Sequence, residues 1–325
     1  MALAGWSDGR LRPSPVLSSA KAAYSAPGMG AHSGRLYVGN EFCERLLPGT
    51  RTLGVVCREA ATSWGGLTLV TPPVGDAGLD RVALLLRSLA RLSPGAEVVA
   101  NDWGILTLVA EMGSDLRPVL GRLMNKMLRD PRVTPSLAQQ SPTAEALRAT
   151  RQAALTAPAY VRMLARLGVQ RVEFDNLHQG IDIDFAALGI QPTLHLPFSC
   201  VTTGSACLTS GIGQVPEHKF TSDNPCHREC RVYSATMRDH ASAAAAPLIS
   251  RGNSVFFRQE RALVERGLTW AAAHHARMVV RAEAFAATAY ATEDPATAKS
   301  WYEALHGQEP IAETAGAAPR HGDIS

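Results

Sequence analysis

"LTLVTPPVGDAGLDRVALLLRSLARLSPGAEVVAND", residues 67–102, holds a strand, a helix and a second strand in one passage. LTLVTPP (67–73) is a short apolar run, and Pro72-Pro73 close it because proline cannot donate to a ladder. In LDRVALLLRSLARLSPG (79–95) the apolar residues recur at helical spacing; Asp80 stands where a cap would, and Ser93-Pro94-Gly95 stop the helix. EVVANDWG (97–104) is again extended and runs into a polar loop. Two strands joined through a helix pair in parallel, since the connection is too long for a hairpin.

The same alternation spreads outward. RLYVG (35–39), VQRVEFDN (169–176), PTLHLPFSC (192–200), NSVFFR (253–258) and ARMVVRAEAF (276–285) read as strands. Residues 143–168 read as helix with a break at Pro158, and 260–275 as a helix ending at His274-His275. ILTLVAEM (105–112) fits either state. This many βα units in one chain predict an α/β fold of the TIM-barrel-like (β/α) type, complete or short of a strand. The barrel is expected over residues 34–307, between an Ala/Ser/Gly/Pro-rich flexible arm (1–33) and a similar tail (308–325). In such barrels the site lies at the C-terminal ends of the strands. Those ends read Asn40-Glu41, Asn101-Asp102, Asp175-Asn176 and Cys200.

Composition narrows the classes. Of 325 residues 46 % are hydrophobic and 19 % charged, an ordinary globular balance that needs no disulfide staples. A net charge of +3 neither argues for nucleic acid nor excludes it. No apolar run reaches membrane-spanning length, and Pro13 and Pro15 interrupt the one stretch resembling a leader. The expected compartment is therefore the cytoplasm, where clustered thiols bind metal or react rather than form disulfides. The dinucleotide glycine pattern, the phosphate-loop motif, the H-E-x-x-H zinc motif and the G-x-S-x-G elbow are all missing.

Four of the six cysteines crowd into residues 200–230: CVTTGSAC (200–207) and CHREC (226–230). Four thiolates suit one tetrahedral zinc ion or one iron–sulfur cluster. Cys226 and Cys230 at i and i+4 would share the face of a helical turn opened by Pro225. Backbone N–H groups nearby could donate to sulfur, and Arg228 and Arg231 could offset thiolate charge. The chain has no C-x2-C knuckle, which moves the reading from zinc towards a cluster. Cys57, within an apolar run, reads as core; Cys43, after a strand end, is close enough in pattern to reach the same site.

FSCVTTGSACLTS and NPCHRECRVY, with LYVGNEFCERL (36–46), resemble the peptidase U32 family, the collagenase-like proteases. The resemblance runs from about residue 34 to 285; the gap of eighteen between the cysteine pairs is slightly long, and Gly204 stands one place from its usual position. It implies a 4Fe-4S cluster on a TIM-barrel-like scaffold. It also implies oxygen-independent hydroxylation of a small aromatic or quinone-like precursor in ubiquinone biosynthesis, with prephenate as oxygen donor and a second U32-type subunit as partner. RNA-base hydroxylation, peptidase activity and a non-catalytic metal-stabilised subunit are the alternatives it carries. Its ligand set is Cys207, Cys226 and Cys230 with either Cys200 or Cys43; Cys200 is preferred because all four clustered thiols are then used.

Beside the thiols, Asn101, Asp102 and Asp175 are candidate catalytic groups, as are Glu173, Asn176 and His178. The plain alternative for these is helix capping and hydrogen bonding around the rim. In LGRLMNKMLRDPR (120–132) helical spacing would align Arg122, Lys126 and Arg129, making Arg122 and Lys126 candidate anchors for a carboxylate substrate. A solvated charged face is the alternative there.

Overall fold

A computed structural model describes residues 12–13, 34–131, 143–222, 224–237 and 247–307. The arm expected over 1–33, apart from the strand β1 (Arg12–Pro13), and the tail expected over 308–325 lie outside the described residues. The alternation runs β2 (Arg35–Gly39), α1 (Thr50–Ser63), β3 (Gly66–Thr71), α2 (Asp76–Leu92), β4 (Glu97–Ala100), α3 (Trp103–Glu111) and β5 (Arg117–Leu120). It continues through α4 (Ala144–Thr150), α5 (Pro158–Arg166), β6 (Arg171–Asp175), α6 (Phe185–Leu188) and β7 (Gln191–Leu196). Then come β8 (Phe198–Thr203), β9 (Tyr233–Met237), β10 (Leu248–Arg251) and β11 (Ser254–Arg258). The barrel resumes with α7 (Arg261–Ala273), β12 (Arg277–Val280), β13 (Thr288–Thr292) and α8 (Pro295–His306).

Strands β2 to β7, β12 and β13 close into a barrel of eight. β13 is antiparallel to both β12 and β2, and every other barrel pairing is parallel. The reversal follows from the short connection between β12 and β13, which has no room for a crossover helix. The barrel is complete, and the cysteine-bearing segment between β7 and α7 is a second sheet, ordered β1-β9-β10-β11-β8.

Strand alternation separates the two faces of each barrel strand. Leu36, Leu67, Leu69 and Val98 face the helices and join Leu53, Val56, Val82, Leu85, Leu86 and Leu89 in the main core. Val82, Leu85, Leu86 and Leu89 stand at i, i+3, i+4 and i+7, the apolar stripe that fixes α2 against the barrel. Burying each such side chain contributes about 1.5–3 kcal/mol. The helix begins earlier than Asp80: Gly75 is its N-cap, and Asp76 supplies the negative charge of the first turn. Tyr37, Val70, Val99, Val119 and Val279 form a separate cluster inside the barrel. Gly39 is indispensable in that wall, because its φ is 122° and an added Cβ would lie 2.1 Å from the Val70 carbonyl.

Residues 105–112 resolve as helix, and Pro158 opens α5 rather than kinking a longer helix. Two expectations from helical spacing fail. Residues 121–131 contain no helix, because the Arg122 side chain is drawn into the barrel by buried carboxylates. CHREC is not a helical turn that aligns its sulfurs: Arg228 takes a left-handed φ of 64°, and only Glu229–Arg231 form a 3-10 turn. Among the described residues no helix is long and apolar enough to cross a membrane.

Candidate metal centre at the barrel mouth

Three chain segments bring thiols to the C-terminal face. After β2, the Asn40 side-chain oxygen accepts N–H bonds from Phe42 (2.9 Å) and Cys43 (2.8 Å), which turns the chain and sets Cys43 over the mouth. Phe42 packs on Phe256 and Phe285 and anchors that turn. The loop leaving β8 carries Cys207, and the loop before β9 carries Cys226 and Cys230. Cys43, Cys207, Cys226 and Cys230 line one cavity of about 580 Å³. Its other walls include Leu46, Pro73, Val74 and Phe285, so the thiols meet in largely apolar surroundings.

Cys200 does not join them. It is fully buried in β8 opposite Phe256, and its N–H donates to Asp175 Oδ1 at 2.8 Å. Burial, with Asp175 adding to it, pushes its thiol up to about 12. The structure thus replaces the preferred Cys200 by Cys43 in the set of thiols that share a cavity. The cause is strand geometry: Cys200 belongs to a paired strand, whereas Cys43 sits on the turn after β2 that Asn40 and Asn253 hold at the mouth. Cys57 is core, packed with Leu53 and Val56, as its apolar run implies.

The sulfurs are prepared for negative charge in two places. The Ser210 N–H donates to Cys207 Sγ and the Arg228 N–H to Cys226 Sγ, both at 3.4 Å. Burial raises the Cys43 and Cys230 thiols, Cys230 to about 12; after burial, the other thiols of the set are the largest upward influence on Cys230. No three sulfurs lie within 4.8 Å of one another, since the only such group among the described residues is Glu41, Glu173 and His195. One zinc ion would hold its thiolates about 3.8 Å apart, from Zn–S bonds of about 2.3 Å in a tetrahedron. In a 4Fe-4S cluster each thiolate binds a different iron, so the set is wider. Four thiols in one cavity are a donor set that either a zinc ion or a 4Fe-4S cluster takes, and the side chains do not already stand at zinc spacing.

No family model matches the chain, and neither a curated protein nor a solved structure matches it.

The three thiol-bearing segments converge on the turn between β10 and β11. Arg251 Nε donates to the Cys230 carbonyl at 2.6 Å, and its Nη2 to the Arg231 carbonyl at 3.1 Å. Gly252 exchanges bonds with Thr209, two residues beyond Cys207. Asn253 Nδ2 donates to the carbonyls of Phe42 and Gly204, both at 2.7 Å, joining the Cys43 turn to the Cys207 loop. Consecutive residues of one turn therefore hold all three segments. Gly252 has a φ of 61°, and a Cβ there would meet the Phe285 ring at 2.8 Å, so the turn cannot carry a larger residue unchanged.

The rim residues separate into capping groups and a buried ion network. Asp102 caps α3, accepting from Gly104 and Ile105. Asn101 spends both side-chain atoms, donating to the Thr71 carbonyl and accepting from the Leu123 N–H. Asp175 accepts from Arg122 Nη1 at 2.6 Å and lies 3.1 Å from Arg129 Nε. Arg122 also donates to Glu41 at 2.6 Å and is fully buried, so it faces no cavity; Lys126 is exposed and lines a neighbouring one. Asn176 donates to Gln259 and the Leu263 carbonyl, and the His178 ring stacks on Phe257. Glu41, held by Arg122 and Arg281, faces His195, whose other nitrogen lies 3.0 Å from Glu173. His195 and Arg281 escape a reading based on strand ends. The signal for them is the alternation Thr193–His195 and Arg277–Val279–Arg281, which puts each on the inner face.

Proposed function

We propose that Cys43, Cys207, Cys226 and Cys230 hold one 4Fe-4S cluster, and that the chain serves oxygen-independent hydroxylation of a small aromatic or quinone-like precursor. The observation that carries the cluster is the meeting of these four thiols in one cavity, with no three sulfurs already within 4.8 Å of one another. The resemblance of the cysteine block to U32 proteins supports the rest: prephenate as oxygen donor and a second U32-type subunit as partner. It also supports the choice of Cys43, because one member of the ubiquinone-hydroxylation pair draws a ligand from a cysteine just after the first strand. When bound, such a cluster supplies one-electron chemistry at a potential set by hydrogen bonds and burial. The chain's own part is to place the thiolates, donate N–H bonds to Cys207 and Cys226, and exclude water with Phe42 and Phe285.

Purification without air tests this directly. The expected product is brown, with about four iron and about four acid-labile sulfide per chain. Stoichiometric zinc, or no iron after anaerobic reconstitution, would refute the cluster.

The β10–β11 turn gives a second expectation. Asn253→Ala removes both bonds that join the Cys43 turn to the Cys207 loop. The fold should persist, because Asn253 is on a surface turn, while the reconstituted cluster should bleach several-fold faster in air. Unchanged bleaching with unchanged iron would show that the turn plays no part in holding the site.

A further inference from the structure

A second cavity, of about 520 Å³, opens on the C-terminal face beside the thiols and shares Pro73 and Thr203 with theirs. Its aromatic wall is Trp103 against Tyr160, ring centroids 5.9 Å apart and planes at 84°. Tyr160 is fixed by its hydroxyl, which donates to the Met124 carbonyl at 2.9 Å. Trp103 opens α3 and stays 45 % exposed. A planar ring laid on one of these meets the edge of the other, the arrangement aromatic quadrupoles favour.

The charges of this cavity are unevenly committed. Asp102 is occupied by the N–H groups of Gly104, Ile105 and Val74. Arg129 faces Asp175 and donates to the carbonyls of Arg122 and Asn125. Lys126 is exposed and has no carboxylate partner among the described residues. What the cavity offers a ligand is therefore an aromatic wall and one uncommitted ammonium. A monoanion suits that better than phosphate, which calls for several donors.

We propose that this cavity binds a planar aromatic carboxylate, its ring against Trp103 and its carboxylate towards Lys126. The proposal gives the hydroxylation reading its substrate site and rests on that reading only for the neighbouring cluster; binding itself needs no iron.

The test is calorimetric titration of the whole chain with benzoate and 4-hydroxybenzoate, with phenol, acetate and inorganic phosphate as comparisons. The two aromatic carboxylates are expected to bind about tenfold tighter than phenol or acetate. Lys126→Gln should weaken benzoate about threefold to fivefold, as an exposed ion pair allows, and Trp103→Ala about tenfold, with melting temperatures near wild type. No binding, equal binding of acetate or phosphate, or indifference to both substitutions overturns the proposal. Repeating the titration with Cys43→Ala separates the two readings. Benzoate binding that persists in Cys43→Ala shows that this site needs no cluster. Lys126-dependent binding by a wild-type chain that takes up no iron on reconstitution keeps this site and removes the cluster, and a loaded wild-type cluster without benzoate binding removes this site alone.

Discussion

Cys43→Ala is expected to yield a folded protein that retains no 4Fe-4S cluster, whereas Cys200→Ala keeps its iron and loses about 1 kcal/mol of stability. The contrast rests on where each sulfur stands. Cys43 lines the cavity with three other thiols, and its turn is set by Asn40 and Asn253 rather than by its own side chain. Removing that sulfur takes away a proposed ligand and little packing. Cys200 lies in β8, paired with β11, in the apolar cluster of Phe42, Phe198, Phe256 and Phe285, with no exposed surface. To bind metal it would have to leave β8 and break the bond from its N–H to Asp175. Iron and sulfide counts on the two anaerobically reconstituted proteins, beside their thermal melts, check the contrast. Cys57→Ala is the control, buried in α1 away from the mouth and expected to keep all its iron. Iron lost from Cys200→Ala and kept by Cys43→Ala would reverse the assignment.

The barrel was legible where the signals are local. Residues 67–102 contain two apolar runs, a helical stripe and a Ser-Pro-Gly stop, and each survives as β3, α2 and β4. β13 was missed because TAYAT (288–292) is short and two of its five residues are alanine, with little apolar contrast to mark it. Its antiparallel direction is a property of barrel closure, written in no single segment. The site divides in the same way. That four thiols gather is visible in the cysteine count, but which four depends on contacts across the chain. Asn253 reaches the Phe42 carbonyl over a sequence separation of 211 residues. Spacing misled in two places for one reason. The i, i+4 intervals of Cys226–Cys230 and Arg122–Lys126 have meaning only on a helix, and left-handed Arg228 and inward-drawn Arg122 deny it.

Arg122→Met is expected to cost about 3–5 kcal/mol, the loss typical of stranding a buried charge. Arg122 has no exposed side-chain surface and bridges Glu41 and Asp175, both at 2.6 Å, while its Nη1 also meets the Phe198 carbonyl at 3.1 Å. Around it Glu41, Glu173 and Asp175 are balanced by Arg122, Arg129 and Arg281, with His195 between two of the carboxylates. Methionine fills the volume but leaves three buried carboxylates facing two arginines, one negative charge in excess. Domains commonly have only about 5–15 kcal/mol of stability in total, so urea midpoints at pH 7 should fall steeply. Arg122→Lys should lie between the two, since it keeps the charge but not the fork. The deficit should also depend on pH, with a definite sign. Burial alone would raise Glu41, but Arg122 and Arg281 outweigh it and hold the carboxyl down from 4.5 to about 2. The resulting stability is present above about pH 4.5 and is lost as pH falls towards 2. In Arg122→Met a proton on Glu41 relieves the stranded charge, so the gap between variant and wild type should narrow as pH drops from 7 to 3. A gap below about 1 kcal/mol at pH 7, or one that widens in acid, would show that the network is not what secures the mouth. The same substitution bears on the proposed metal centre, because Glu41 and Phe42 lead into Cys43 and the Arg122 guanidinium lies 5.4 Å from the Phe42 ring. Cluster loss should therefore accompany the loss of stability, faster than in any variant that leaves Arg122 in place and all four thiols present.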